Sequence, residues 1–284
     1  SLRTQCAMPE THPPKYRSPA CGLAKPLPRL THAPVVRYAE LHCRTNFSFL
    51  EGASHAEELA TRAAELGHAA IAVTDRNSLA GVVRAHVAAK EAGIKLLVGA
   101  ELTPIDAPPL LVWCPDRAAY GRLARLLTLG RRAAPKGLCR LTFDDIAKHS
   151  AGLVAGVLLA PRLRFSATSA PALEVALNGK RKSADHLHRY QDLFADRCYA
   201  VAELCRGPED RRLLQEMMQL ADDARLPLVA ANDVHYHIAE RRPLQDVLTA
   251  ILHGCTVAEL GERIFPKAER HLKSPADMLE VFAA

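Results

Sequence analysis

Residues 70–99 read AIAVTDRNSLAGVVRAHVAAKEAGIKLLVG, and their pattern is the starting point for predicting the fold. The apolar run at 70–74 predicts a buried strand, 78–92 predict a helix that Gly93 ends, and 95–99 predict a second strand. A strand, a helix and a strand in close succession form the repeating unit of parallel α/β proteins. The chain is therefore predicted to be an α/β protein.

Similar units lie on both sides of this stretch. Further strands are predicted at 38–41, 110–114, 153–159, 198–204 and 227–231. Further helices are predicted from Ser54 to Gly67 with a capping box at Glu57, from Asp116 to Leu129, from Thr142 with Asp145, at 208–224 and at 240–252. The total is about seven βα units, and no glycine-rich phosphate turn follows the first strand, so a closed parallel barrel is favoured over an open doubly wound sheet. Residues 162–183 fit no element.

The positive charge is concentrated at the start of the chain. The net charge is +6, and residues 1–37 contribute +5 of it through six basic residues and Glu10. The same segment contains seven of the 19 prolines, which exclude helix and central strand, so a disordered leader is predicted. The remainder carries +1 and is not expected to bind DNA by its charge. The leader is either an upstream tail with no function of its own or a nucleic-acid-binding segment.

The cysteines and the apolar runs bear on the compartment. Eight cysteines are scattered along the chain, and no two of them form a C-x-x-C pair, which indicates reduced thiols rather than disulfides or a structural zinc. No apolar run is long enough to cross a membrane, and the first ten residues lack the apolar core of a signal peptide. These features predict a cytoplasmic protein without a membrane association.

Common catalytic motifs do not occur in the sequence. There is no P-loop, no G-x-G-x-x-G, no H-E-x-x-H and no G-x-S-x-G. There is also no D-x-D, whereas two-metal nucleotidyl transfer needs closely set carboxylates. Polymerase chemistry is therefore not expected within this chain.

Polar residues follow several predicted strands at their carboxyl ends, which meet at one mouth in a parallel barrel. Two imidazoles and three carboxylates at such positions have the chemistry of a divalent-metal cluster. They are His42, Asp75, Glu101, Asp233 and His235. Taken singly, each has an ordinary alternative role as a turn cap, a solvent-facing acid or a hydrogen-bonded structural histidine.

Four segments carry a resemblance to a known family. They are ELHCRTNFSFLEGASHAEEL at 40–59, TDRNSLAGVVRAHVAAKEAGIKLLVGAEL at 74–102, NDVHYHIAERRPLQDVLTAILHGCT at 232–256 and AERHLKSPADM at 268–278. In this order they resemble the N-terminal PHP domain of error-prone, DnaE-type bacterial DNA polymerases. The subfamily they are most similar to, also called ImuC, is a translesion polymerase of the DNA-damage response related to the polymerase III α subunit.

The resemblance implies a distorted (βα)7 barrel with parallel strands. It implies three parts, namely the leader at 1–37, the PHP barrel at 38–265, and at 266–284 the start of the connection to the missing polymerase domains. Intact PHP domains bind up to three metals and hydrolyse phosphoesters, in some cases as a 3′–5′ exonuclease. The five polar residues named above match ligand positions of the family.

The sequence departs from the family's ligand pattern at four positions. Arg44 and Arg76 stand where metal-binding members carry histidines, and two later ligand positions fall near Pro109 and Leu159, which cannot coordinate a metal. A guanidinium is always charged, so it repels divalent cations and can instead pair with carboxylates. These replacements predict that Arg44 or Arg76 bridges the carboxylates at the barrel mouth.

These residues are compatible with two states of the site. The first contains no metal cofactor, and the arginines satisfy the carboxylates. The second retains a single zinc or manganese ion on His42, Asp233 and His235, which are enough ligands for one ion. The resemblance assigns magnesium to the full-length polymerase.

Three functions from different classes follow from the sequence. The first is a structural, non-catalytic module of an error-prone translesion DNA polymerase, the second a metal-dependent phosphoesterase or 3′–5′ exonuclease, and the third a basic nucleic-acid-binding domain that uses residues 1–37. The partners that the resemblance implies are the palm and thumb domains of the polymerase, the sliding clamp, the other mutasome components, and DNA through the full-length protein.

Overall fold

The computed structural model describes residues 37–159 and 180–283. Within these residues seven strands form one sheet, in chain order. They are β1 Ala39–Glu40, β2 Ala70–Val73, β3 Lys95–Leu102, β4 Leu110–Trp113, β5 Val154–Leu158, β6 Cys198–Glu203 and β7 Leu228–Ala231. The predicted leader lies outside the described residues, apart from its last residue, as does most of the unassigned stretch at 162–183.

Helices accompany the strands, as the pattern of the sequence predicts. Those in the described residues are α1 Ala56–Glu65, α2 Val82–Glu91, α3 Arg117–Arg132, α4 Phe143–His149, α5 Lys180–Phe194, α6 Asp210–Asp223, α7 Arg242–His253 and α8 Pro275–Ala283. None of them is long and apolar enough to span a membrane.

The sheet is mostly parallel, but β4 departs from the expected direction. The strands β1 to β3 run parallel to one another, and so do β5 to β7, whereas β4 is antiparallel to both β3 and β5. The cause is the short connection at 103–109, because a parallel connection needs a crossover of about a dozen residues or more. The predicted seven-stranded barrel is confirmed, with one strand reversed.

The barrel closes through the residues that follow its first and last strands. The amide of Arg44 donates to the carbonyl of Val234 at 2.9 Å, and the amide of Val234 donates to the carbonyl of His42 at 2.8 Å. Cys43 and Val234 thereby form a parallel bridge beyond the ends of β1 and β7. Closure therefore occurs at the mouth, where the predicted site residues lie.

The helix ends follow the capping signals, with one correction. Gly67 and Gly93 take left-handed φ angles of 75° and 70° just beyond α1 and α2, as predicted. The Asp116 side chain accepts from the amide of Ala119 at 2.7 Å at the start of α3. Helix α4 begins after Thr142 as predicted, and Thr142 and Asp145 form a capping box there.

The capping box predicted at Ser54 and Glu57 is wrong. Helix α1 begins at Ala56, and the amide of His55 donates to the Glu58 carboxylate at 2.9 Å. The Ser54 hydroxyl is engaged elsewhere, because its oxygen lies 2.7 Å from Nδ1 of His237 and accepts from the amide of that residue at 3.0 Å. A contact distant in sequence therefore moves the cap by one residue.

The interior of the barrel is filled by apolar side chains below the mouth. This cluster comprises Ala72, Leu111, Trp113, Leu158, Val201 and Ala231, and it draws on five of the strands. The indole of Trp113 donates to the carbonyl of Leu41 at 3.1 Å, and its ring lies against Gly156. The mouth is therefore a shallow site on a packed floor and not the entrance to a channel.

The segment at 268–273 packs beside the end of β7. Tyr236 and His271 form an isolated parallel bridge, and the side-chain amide of Asn232 donates to the carbonyl of His271 at 2.6 Å. The buried amine of Lys273 donates to Asn232 Oδ1 at 2.9 Å. The predicted boundary between 265 and 266 stays a prediction.

Candidate metal centre

The predicted ligands lie at the mouth, but they are not all placed as expected. His42 follows β1, Asp75 follows β2, and Asp233 and His235 follow β7. Glu101 lies within β3 and not beyond it, because the second half of that strand continues to pair with β4. All five side chains are buried.

Arg44 lies among these side chains and contacts three of them. Its Nε and Nη2 donate to Oε2 of Glu101 at 3.1 and 2.5 Å, and its Nη1 lies 3.1 Å from Nε2 of His235. Its Nη2 is also 3.7 Å from Oδ1 of Asp233. The predicted bridging of carboxylates by an arginine is therefore present, with Glu101 as the principal partner.

The contacts of His235 define its protonation state. Its Nδ1 lies 3.0 Å from the carbonyl oxygen of Glu51, which can only accept a hydrogen bond, so Nδ1 carries the hydrogen. Its Nε2 must then accept from Arg44. Burial and the charge of Arg44 lower the pKa of His235 to about 3. The lone pair that would bind a metal in this neutral ring is directed at a guanidinium.

The charges of Arg44 and Arg76 keep the carboxyl group of Glu101 ionised. Burial alone would raise its pKa, but the charges of Arg44 and Arg76 outweigh that effect and hold the pKa well below its usual range. The Nε of Arg76 is 3.8 Å from Oε2 of Glu101, and its Nη1 forms an ion pair with Glu51. Both replaced ligand positions thus contribute positive charge to the site.

Glu203, the last residue of β6, is a site residue that the sequence analysis missed. Its Oε1 lies 2.6 Å from Nδ1 of His42, and both side chains are buried. Burial lowers the pKa of His42, but the charge of Glu203 and the hydrogen bonds that the ring donates to Glu101 and Glu203 give a net raised pKa. The position of Glu203 at a strand end was the available signal.

Arg270 is the second residue that was missed, and it forms an ion pair with Asp233. Asp233 has a left-handed backbone with φ of 48°, a conformation that aspartate tolerates better than most residues. The turn directs its carboxylate toward His42 Nε2, 3.6 Å away, and His235 Nε2, 3.3 Å away. No sequence motif connects Arg270 with this pair.

Asp75 has a different set of contacts. Its Oδ1 accepts from the amide of Thr45 at 2.8 Å and from the hydroxyl of Ser48 at 2.7 Å, and its Oδ2 accepts from the hydroxyl of Thr45 at 2.8 Å. Hydrogen bonds from Ser48 and Thr45 oppose the rise in its pKa that burial causes. Both oxygens of Asp75 therefore serve the 45–48 loop.

The donor atoms of His42, Asp233 and His235 have part of the spacing that a metal site needs. Bonds of roughly 2.0 to 2.2 Å in a tetrahedral zinc site separate neighbouring ligand atoms by about 3.4 Å. The two distances from Asp233 Oδ1, 3.6 Å to His42 Nε2 and 3.3 Å to His235 Nε2, agree with this spacing. His42, Glu203 and Asp233 also form a group whose ligand atoms lie within 4.8 Å of one another. The spacing fits one ion, but the guanidinium of Arg44 competes for the same lone pairs.

The comparison with protein families decides the assignment of the fold. Residues 40–202, more than half of the chain, match the PHP domain family. The chain belongs to the PHP domain family. The resemblance inferred from the four sequence segments is confirmed, and the replaced positions Arg44 and Arg76 lie within the matched residues.

Relatives of this PHP domain include proteins named error-prone DNA polymerase. The chain is 41% identical over 260 residues to one from Rhodopirellula baltica, with 92% of this chain and 22% of the relative covered. It is 46% identical over 246 residues to one from Caulobacter vibrioides, with 86% and 21% covered. The chain thus spans about a fifth of the length of the relatives it matches.

A solved structure supports the fold. A protein from Bifidobacterium adolescentis assigned as a metal-dependent phosphoesterase matches with a TM-score of 0.50 and 16% identity, over 72% of this chain and 89% of the other. At that identity the match concerns the fold of the PHP domain and not its chemistry.

Proposed function

We propose that the chain is the PHP domain of an error-prone translesion DNA polymerase and serves there as a structural, non-catalytic module. DNA synthesis would be carried out by other parts of such a polymerase, because the chain spans about a fifth of its relatives and has no D-x-D motif. The proposed partners are the palm and thumb domains, the sliding clamp, other mutasome components and DNA.

The observation that carries this proposal is the position of the Arg44 guanidinium. It is 3% exposed and lies within 3.7 Å of Glu101, His235 and Asp233. A planar cation with five donors can satisfy several acceptors at once and cannot be displaced by deprotonation. In this position it neutralises the carboxylates, as a divalent ion would, but it cannot polarise a phosphoester or activate a water.

A hydrolysis assay tests the non-catalytic role. The purified chain would be incubated with p-nitrophenyl phosphate and, separately, with a 3′-labelled oligonucleotide, each with added zinc or manganese. We expect the same background turnover from the wild type and from Asp233→Ala. Metal-dependent turnover that Asp233→Ala abolishes would contradict the proposal.

The alternative function is a residual phosphoesterase or 3′–5′ exonuclease with one zinc or manganese ion. The position of Asp233 favours it, because His42 Nε2 and His235 Nε2 each lie at about a tetrahedral ligand separation from Asp233 Oδ1. An ion there would act as a Lewis acid toward a phosphate oxygen. For this function the Arg44 guanidinium would have to move away from Nε2 of His235, so that the lone pair of that nitrogen could bind the ion.

A further inference from the structure

Helix α3 has an unusual distribution of charge. Its sixteen residues include five arginines and no acid. They are Arg117, Arg122, Arg125, Arg131 and Arg132. A solvated helix surface ordinarily mixes both signs of charge, so a helix of one sign indicates a partner of the opposite sign.

Three of these arginines share the exposed side of the helix. At about 100° per residue, Arg117, Arg125 and Arg132 fall within about 80° of one another, opposite the buried residues Leu123 and Leu126. With a rise of about 1.5 Å per residue they extend along roughly 22 Å of helix. We call Arg117, Arg125 and Arg132 the basic stripe.

The stability of the helix does not account for the basic stripe. Within the described residues none of its three side chains forms an ion pair. Arg117 lies in the first turn, where the helix dipole disfavours a positive charge. Only Arg132, in the last turn, is favoured by the dipole. The stripe is therefore available to an external partner.

The positive surface continues beyond α3. Residues 115–150 contain eight basic residues and three acids, a net charge of +5, whereas residues 38–284 together carry +1. Lys136, Arg140 and Lys148 are exposed in this segment. The near-neutral net charge of residues 38–284 is therefore the sum of a basic segment at 115–150 and a net acidic remainder.

The stripe leads to the mouth of the barrel. At the end of α3, Nε and Nη2 of Arg131 donate to the carbonyl of Asn77 at 3.1 and 2.8 Å. Asn77 directly follows Asp75 and Arg76 of the candidate metal centre. An extended polyanion bound along the basic stripe would therefore pass beside the candidate metal centre.

Gly121 adds an independent observation on the same face. It lies in the interior of α3, about 40° around the helix from Arg117 and between the stripe positions. A Cβ built at Gly121 would meet no atom within 4 Å, so packing within the protein does not require glycine there. Glycine destabilises a helix interior, and here it leaves the surface between the arginines free of a side chain.

We propose that the exposed face of α3 binds the phosphate backbone of DNA without sequence specificity. The arginines would contact successive phosphates, and the gap at Gly121 would let the backbone approach the helix closely. Tyr120, 38% exposed on the flank of the stripe, offers a ring on which a base can stack. This surface is distinct from the Arg44 contacts and from the leader.

The test compares two triple variants of the full chain that change the net charge equally. The stripe variant is R117Q/R125Q/R132Q, and the control variant is K90Q/K95Q/R211Q, at three exposed basic positions elsewhere on the barrel. Binding of a labelled oligothymidylate and of a labelled duplex would be measured by fluorescence anisotropy over a series of salt concentrations. Because residues 1–37 are present in every variant, any difference reports on the helix face.

We expect the stripe variant to bind at least about tenfold more weakly at low salt. Its plot of log K against log salt should be shallower by about 1 for each lost contact. The control variant should resemble the wild type. Equal loss in both triple variants, or no loss in the stripe variant, would overturn the proposal.

A second pair of variants guards against a folding defect. Gly121→Ala should raise the melting temperature and still weaken DNA binding slightly, because its methyl group fills part of the gap between the arginines while it favours the helix. Gly121→Glu should weaken binding while the protein stays folded, because it places a carboxylate among the arginines. Unchanged binding in Gly121→Glu would count against the proposal.

Discussion

At the scale of single residues, Arg44 has the largest expected effect on stability. Its guanidinium is buried and paired with Glu101, and removal of one member of such a pair leaves the other charge without compensation. We expect Arg44→Leu to lower the free energy of unfolding by about 3 to 5 kcal/mol. Urea denaturation measures this change.

The matched control is Arg84→Leu. Arg84 is 53% exposed and pairs with Glu57 on the surface, and such pairs contribute about 0 to 1 kcal/mol. Equal losses in Arg44→Leu and Arg84→Leu would show that the buried guanidinium has no special role in the site.

Glu203 is expected to control the charge of His42. Its carboxylate is one of the groups that raise the pKa of His42 against the effect of burial. Glu203→Gln keeps the size of the side chain and removes its charge, so the pKa of His42 should fall. Proton NMR titration of the ring would detect this shift, and an unchanged pKa would mean that the contact between Nδ1 and Glu203 is not formed in solution.

The site residues also show which features could be predicted from the sequence and which could not. His42, Asp75, Glu101, Asp233 and His235 were found because they lie at or near strand ends, a local property. Glu203 also ends a strand, so the same local signal was present but was overlooked, and its partner His42 is 161 residues away. Arg270 was missed because its role depends on its contact with Asp233, which lies in a separate segment. Contacts of this kind leave no periodic or spaced signal.

At the scale of elements, two glycines should respond in opposite ways to the same change. A Cβ at Gly156, in β5, would lie 2.5 Å from the ring of Trp113 and 2.7 Å from Val201, so Gly156→Ala should destabilise the protein by about 1 to 3 kcal/mol. Gly121→Ala, in open space on α3, should stabilise it by about 0.5 to 1 kcal/mol. Thermal unfolding of both variants tests the packing of the barrel interior, and a stable Gly156→Ala variant would contradict it.

His68 makes the stability of the barrel depend on pH. It joins the turn after α1 to the carbonyl of Lys273 at 2.8 Å, and burial lowers its pKa from 6.5. The unfolded chain therefore binds a proton at His68 more readily than the folded protein does. The free energy of unfolding should accordingly fall as the pH drops from about 6.5 to the lowered pKa of the folded state. Denaturation of His68→Gln should show a shallower dependence between about pH 7 and pH 5. An unchanged dependence would exclude His68 as a contributor.

The elements themselves could be predicted well because their signals are local. Gly67, Gly93, Asp116 and Thr142 act within one helix turn, and each performs its predicted role. The direction of β4 was not predicted, although the short connection at 103–109 contained the relevant information. The cap at Ser54 could not be predicted, because it depends on His237, 183 residues away.

At the scale of the whole molecule, a ring of paired charges closes the mouth of the barrel. Each cation within hydrogen-bonding distance of the ligand positions faces a carboxylate, with Arg44 on Glu101, Arg76 on Glu51 and Arg270 on Asp233. The basic stripe of α3 ends beside this ring. The described part of the molecule therefore has two basic regions, a mouth whose three arginines are paired with carboxylates and a helix face whose arginines are not.

The metal content of the purified chain tests the central claim most directly. Wild type, Asp233→Ala, Arg44→His and the double variant Arg44→His/Asp233→Ala would be equilibrated with zinc or manganese, desalted and analysed by mass spectrometry. If the Arg44 guanidinium replaces a cation, the wild type should retain no stoichiometric metal, Arg44→His should retain about one ion, and the double variant should lose it. A stoichiometric ion in the wild type that Asp233→Ala removes would contradict the account.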